Sequence, residues 1–450
     1  MINGKGECVS FLARLKMGVL RMVQLTNETL FSNALLSEIR EKFAFVDTEP
    51  LTGKKRLFFD NAGGSYRLKT ANEKFAQFDL IPDHPQRDHE TAKLLHEVEQ
   101  QGIDDIRTIF NAKQGKIATY LTASQAMFEM TGVIAENIEG TNIVTTALEH
   151  PSAFDAATFY ANKLGKELRV APTNPETGGV DVEEITKLID SDTCLLSVIY
   201  ASNISGAILD METIVKEARK IKPDLYIIVD AVQHAPHGNI DIEKTPVDVM
   251  NIAPYKFFGV RGFGVAYLSE RAAKLPHHRL YGKENDDLQL GSPAPGHFAS
   301  ISEIVNYVCW IGSQFSDKQD RRELYVEGIT RIGLYEQALL EAMLNGTENV
   351  KGLREIPGVT VYLDYEDLSK RDLIIAIRIT HLDYQEAVRQ YGEAGVVVYD
   401  RVATSIYSRR MLESFGMDGA VRVSPLHCNT IEEIEEFLKV TQSIAASVNG

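Results

Sequence analysis

Cysteine is scarce in this chain, and the little there is follows no pattern. Cys8, Cys194, Cys309 and Cys428 are scattered over 450 residues, which excludes a disulfide framework and fits free thiols in a reducing cytoplasm. Long apolar runs are missing too, and no uninterrupted stretch reaches the length that spans a bilayer. Positive charge is in deficit: 47 Lys and Arg face 63 Asp and Glu, for a formal charge of -16. That argues against a surface that tracks nucleic-acid phosphates, while leaving room for a local basic pocket. The chain has no internal repeat and no low-complexity tract. Its first 21 residues are basic and amphipathic, but charge interrupts their apolar residues, a poor match to a secretory signal. They read as a transit-like segment or an over-extended start, because Met22 opens a more ordinary sequence. Cytoplasmic localisation is the expectation.

What is present is a globular composition, 44% apolar and 24% charged, on a length that implies two domains. Short apolar, β-branched runs alternate with segments of helical period. Strands are expected at Phe58–Phe59, Ile117–Leu121, Asn142–Thr146, Glu167–Ala171, Leu195–Tyr200, Leu225–Val229, Val247–Ile252 and Gly262–Leu268, with helices between most of them. This alternation implies right-handed crossovers and a largely parallel sheet, whose ligands gather at the strand carboxyl ends. Long helical patterns at Ser302–Gln314 and Asp320–Leu344 lead to a second set of strands: Val359–Leu363, Leu373–Ile379, Gly395–Tyr399 and Val421–Val423. The expected organisation is an N-terminal arm (1–48), a large domain (49–310), a connecting helix (311–345) and a small C-terminal α/β domain (346–450).

The chemistry centres on Leu225 to Leu268. Asp230 closes one buried strand, and Lys256 follows the next apolar segment, in Ala253-Pro254-Tyr255-Lys256. A buried amine loses solvation of its charged form and becomes a usable nucleophile, able to form an imine with an aldehyde. A buried carboxylate needs a cation against it, and a pyridinium nitrogen serves. Together they suggest pyridoxal 5'-phosphate (PLP), with Lys256 as the Schiff-base lysine and Asp230 as the partner of the ring nitrogen. Taken singly, a helix cap for Asp230 and a snorkelling Lys256 explain each residue as well.

Other segments add to this pair. Thr122-Ala123-Ser124-Gln125 follows a strand and opens a helix, which makes either a plain N-cap or an anion site. Thr122, His150, Asn203 and Asp230 all fall just past strand ends, and the Asn61-Ala62-Gly63-Gly64 turn lets backbone approach a ligand. His234-x-x-His237 and His277-His278 lack the spacing and third ligand of a metal site, so no metal is expected and the histidines read as solvated or loop residues. Gly259-x-x-Gly262-x-Gly264 precedes a strand rather than a helix, the wrong order for a dinucleotide.

This order of motifs resembles the fold-type I PLP enzymes, specifically the class V aminotransferase and cysteine desulfurase superfamily, over roughly residues 57–448. The resemblance implies that His150 stacks on the cofactor ring, that Asn203 lies near its phenolic oxygen and the substrate, and that Gln233 also meets that oxygen. Ser124, Gln125 and Ala126 are implied to give N–H groups to the phosphate, and Ser292 to reach it from the neighbouring subunit of a homodimer. Arg422 is implied to clamp the carboxylate of an amino-acid substrate, with Asn61 beside it. The chain also departs from the pattern. Residues 399–408 lack the nucleophilic cysteine of the desulfurases, Ala253-Pro254-Tyr255 replaces a Ser-x-His, and Ala123-Ser124-Gln125 replaces a glycine-rich turn; Tyr255 or Arg261 compensates for the lost phosphate donors. The expected activity is aminotransfer by a class V enzyme, with C–S β-elimination second, racemisation also open, and a non-catalytic PLP-binding protein as the reading from another class. Tyr399, Arg401 and His89 are candidates for steering the outcome.

Overall fold

The computed structural model describes residues 31–449, so the reading of residues 1–21 lies outside the described residues. The strands are β1 Leu57–Phe58, β2 Lys116–Tyr120, β3 Asn142–Thr146, β4 Glu167–Ala171, β5 Thr193–Ile199, β6 Tyr226–Asp230, β7 Val249–Ile252, β8 Gly264–Leu268, β9 Val359–Tyr362, β10 Ile375–Ile379, β11 Val396–Val397, β12 Tyr399–Val402 and β13 Gly419–Val423. Seven of them form one sheet in the order β2-β8-β7-β6-β5-β3-β4. Only β8 runs against the rest. Strands β3, β5 and β7 are buried along their whole length, and β6 in all but Tyr226, which is why they do not show the in–out alternation of a half-exposed strand.

The flanking helices form for reasons visible in the residues. Met211–Ile221 buries Met211, Ile214, Val215 and Ala218, one face at helical period. Asp210 accepts a hydrogen bond from the Thr213 N–H and so caps it. A second sheet, β12-β13-β10-β9, is antiparallel. One buried core reaches both sheets, running from Phe43 and Phe59 through Leu196, Val229 and Phe258 to Ile377, Val423 and Phe437.

Three differences from the sequence reading have physical causes. The helix expected from Ser302 starts at Pro295, because proline is tolerated in a first turn where its missing N–H is not needed. Gly395–Tyr399 is not one strand: β11 pairs with β1, and β12 with β13. The helix Lys69–Asp79 buries only Ala71, so it carries almost no apolar period to read. Among the described residues, no helix is long and apolar enough to cross a membrane.

Candidate active site

Parallel pairing decides where the chemistry goes. β6 pairs with β7, with Asp230 opposite Asn251, so Asp230 and the turn after β7 leave the sheet at the same edge. That turn, Pro254–Lys256, is a single 3-10 turn and leads to Phe258, an aromatic residue held at φ +65°. The strained backbone is pinned by the Leu68 N–H to the Phe258 carbonyl at 2.9 Å and by the Phe258 N–H to Ser65 Oγ at 2.9 Å. β8 returns along the edge of β7 and brings Arg261 back to the same rim. Its first residue, Gly264, packs against the helix start, and a Cβ there would lie 2.3 Å from the Thr122 carbonyl carbon.

The result is a cavity of about 220 Å³ walled by Thr122, Ser124, His150, Asn203, Asp230, Gln233, Tyr255, Lys256 and Arg261, among others. Lys256 Nζ donates to Gln233 Oε1 at 3.3 Å. Burial, then the charges of Arg422 and Arg401, bring the Lys256 amine down to about 7 against the opposing pull of Asp230 and Asp60. Asp230 accepts the Val232 N–H at 3.1 Å, yet burial raises its carboxyl above the usual range. His150 caps the helix Pro151–Leu164 through Nδ1, and burial with nearby Lys256 and Arg401 pushes it down to about 3. It is therefore a neutral ring at any ordinary pH.

Not every residue singled out from the sequence meets this cavity. Ser124 lines it, but the Gln125 N–H goes to Thr122 Oγ1 at 3.1 Å and the Ala126 N–H to the Thr122 carbonyl at 3.2 Å. The helix cap has taken both donors, which leaves the Ala123 and Ser124 amides as the ones facing the cavity. Asn61 is buried, with its amide spent on the Phe58 and Ser424 carbonyls and its oxygen on the Tyr66 N–H; its neighbour Asp60 is the turn residue whose charge acts on Lys256. Ser292 lies outside the cavity, bonded to His84 Nε2 at 2.8 Å. His89 caps the helix Glu90–Phe110 and faces Asp83 at 3.3 Å, away from the cavity wall. The solvated reading of two histidines is corrected: His234 and His237 are buried, against Asp372 at 3.1 Å and Glu336 at 2.6 Å. Among the described residues, no cluster of His, Cys, Asp and Glu could hold a metal ion.

Arg422, singled out from the sequence for the substrate, is not among the residues that wall the cavity; it stands beside it on the small sheet, close enough, with Arg401, to act on Lys256. Tyr399 pairs with Arg422 and Arg401 with Ala420, so Tyr399, Arg401 and Arg422 share one face. Arg422 Nη2 meets Asp60 Oδ1 at 2.6 Å, and Nη1 donates to the Asn203 carbonyl at 3.2 Å. The glycine at 63 leaves room for this pair, since a Cβ would sit 2.9 Å from Asp60 Oδ2 and 3.3 Å from Arg422 Nη2.

Asp60, Glu149 and Arg410 carry roles that the sequence did not show. Glu149 Oε1 accepts from Thr146 Oγ1 at 2.7 Å and from the Ile199 N–H at 2.8 Å, tying two strand ends together. Burial lifts its carboxyl to about 8. Arg410 donates to the Ala147 and Glu149 carbonyls and so braces the turn that carries His150. A signal existed only for Glu149, next to His150; Asp60 and Arg410 are ordinary loop and helix residues in one dimension.

These groups fit PLP. Asp230 is a buried carboxyl with no cation bonded to it, the first amides of the helix Ala123–Asn137 face the cavity without an acceptor among the described residues, and a buried amine stands across from both. A mainly parallel sheet with this donor set at its carboxyl edge defines a PLP-dependent protein of fold type I. The chain belongs to the aminotransferase class-V family, which it matches over residues 57–296, more than half its length. It is 28% identical over 424 residues to a probable cysteine desulfurase of Mycoplasma genitalium, covering 90% of this chain and 96% of that protein. It is 23% identical to an aminotransferase-like protein of Gibberella zeae, over 92% of this chain and 99% of the other. Among solved structures it resembles a cysteine desulfurase from Thermococcus onnurineus with a TM-score of 0.74 and 20% identity, covering 91% of this chain and 98% of that one.

Proposed function

We propose that the protein acts at the α-carbon of a small amino acid as an aminotransferase, with Lys256 anchoring the coenzyme and handling the substrate proton. The observation that carries this is a buried amine whose pKa is about 7, set across one cavity from a buried carboxylate. When bound, PLP supplies an electron sink that acidifies the bond from Cα to hydrogen. The protein's own residues do the rest. Asp230 would hold the ring nitrogen in its protonated form. His150, kept neutral, would cover the ring face without adding charge. Arg422 keeps one guanidinium edge on Asp60 and offers its Nε, buried without a partner, to the substrate carboxylate. Lys256, poised between its two protonation states near neutral pH, takes the proton from Cα and returns it at the neighbouring carbon. Burial keeps water from competing. Ser292 would complete the phosphate site of a second copy, so the working unit is a homodimer.

A second reading, C–S β-elimination, is favoured by relatives that carry the name cysteine desulfurase. Against a persulfide route stands the position of the thiols among the described residues: Cys194, Cys309 and Cys428 are buried and none lines the cavity. The test is a screen of amino acids against the purified, yellow protein. Conversion of bound coenzyme to its pyridoxamine form with release of a 2-oxo acid supports aminotransfer. Pyruvate with sulfide or ammonia supports the lyase. No spectral response to any amino acid would overturn both and leave a non-catalytic PLP-binding protein.

A further inference from the structure

Beside the cavity, on the small sheet and the turn after β1, the charges that act on Lys256 do not balance. Arg422 is matched by Asp60. Arg401, on the same sheet face, is only 7% exposed and makes one hydrogen bond, from Nη2 to the Tyr407 carbonyl at 2.8 Å. Its Nε is buried without a partner. No carboxylate lies within ion-pair distance of it among the described residues. Asp60 is already engaged, and strand alternation turns Asp400 to the opposite face. Burying a guanidinium with no counter-ion is unfavourable, and burial together with Arg422 already brings Arg401 down to about 9. A carbonyl and the neighbouring Tyr399 ring do not neutralise a cation. The group is therefore built for an anion that arrives with the ligand.

A single substrate carboxylate does not satisfy both arginines if Arg422 takes it, as the proposed function has it. Arg401 and Arg422 stand diagonally across adjacent strands, a separation of roughly 7–8 Å between backbones, and both side chains act on Lys256. A short molecule can reach both. Resting on the reading of an amino-acid enzyme, we infer that the substrate is an amino acid with a second oxyacid group on a short side chain, and that Arg401 is the residue that selects it. Neutral amino acids would leave Arg401 buried and unpaired.

The test uses the coenzyme-loaded protein and ligands that cannot react. Calorimetry compares succinate and glutarate with butyrate, which has a similar carbon chain and one acid group. The better diacid is expected to bind at least about tenfold more tightly than butyrate. Arg401→Gln should bring that ratio to within about twofold of one while leaving the butyrate constant nearly unchanged. Arg401→Lys should restore part of the preference. Equal binding of diacids and butyrate by the unaltered protein overturns the inference whether or not any variant folds. Equal weakening of both by Arg401→Gln also overturns it, since one carboxylate would then bridge the two arginines. Failure of the underlying reading shows separately, as no response of the coenzyme absorbance to any amino acid.

Discussion

His237, Glu336, His427 and Tyr307 form one buried chain of contacts, while Lys256, Arg401 and Arg422, with the half-buried Asp60, gather at the carboxyl edge of the sheet; both sets are ionisable and largely out of water. In the first, His237 Nδ1 faces Glu336 Oε2 at 2.6 Å, the His427 N–H reaches Glu336 Oε1 at 3.1 Å, and Tyr307 meets His427 Nε2 at 2.6 Å. Burial opposes both charges there, yet each partner overcomes it: His237 rises to about 9 and Glu336 falls to about 2. In the second, burial wins. Lys256 sinks to about 7 and Arg401 to about 9, because cations outnumber the carboxylates available to them. A closed pair uses charge to hold the fold together, and an open cluster keeps charge in suspense for something yet to bind.

The difference can be broken most sharply at Lys256. Lys256→Ala should lower turnover by about 10³-fold or more and abolish covalent capture of the coenzyme by borohydride, read by mass spectrometry. Its unfolding free energy should stay within about 1 kcal/mol of the original, since no ion pair is lost. Glu336→Gln should behave the other way. It strands a buried imidazolium and should cost about 3–5 kcal/mol in chemical denaturation, whatever remains of activity.

The pH dependences should also diverge. His237 is raised, so its contribution is complete below 6.5 and is lost as pH climbs through about 9. Glu336 is depressed, so its contribution is complete above 4.5 and is lost as pH falls through about 2. Between those limits stability should hold, and the alkaline decline should shrink in Glu336→Gln when melting is followed against pH. Lys256 has the opposite sign: its folded form prefers to be neutral, so recapture of PLP by the stripped protein should rise through about pH 7 rather than 10.5. The smallest effect is expected at the helix cap. Thr122→Ala removes the acceptor for the Gln125 N–H and should cost about 1 kcal/mol, with a modest loss of PLP affinity in equilibrium dialysis.

Much of the open cluster was legible in one dimension. Asp230 and Lys256 follow apolar runs that could only be buried strands, and parallel strands deliver their ends to one rim. Asn61 misled because its glycine neighbours suggested a ligand, whereas its amide is consumed by carbonyls from β1 and Ser424. Gln125 and Ala126 misled because a helix start reads the same whether its amides are free or capped. His234 and His237 were illegible, since the carboxylates they meet lie 138 and 99 residues further along the chain.

The sequence by itself determined the periodicities, and with them the alternation of strand and helix, the parallel crossovers, and the acid and amine past the strand ends. Those follow from local propensity and burial, which act over a few residues. Only the tertiary structure decided which charges find partners. Asp60 meets Arg422 across some 360 residues, Glu336 meets His237 across 99, and Arg401 finds a carbonyl but no carboxylate among the described residues. Pairing depends on distance in space, and a folded chain sets that distance without regard to separation along it.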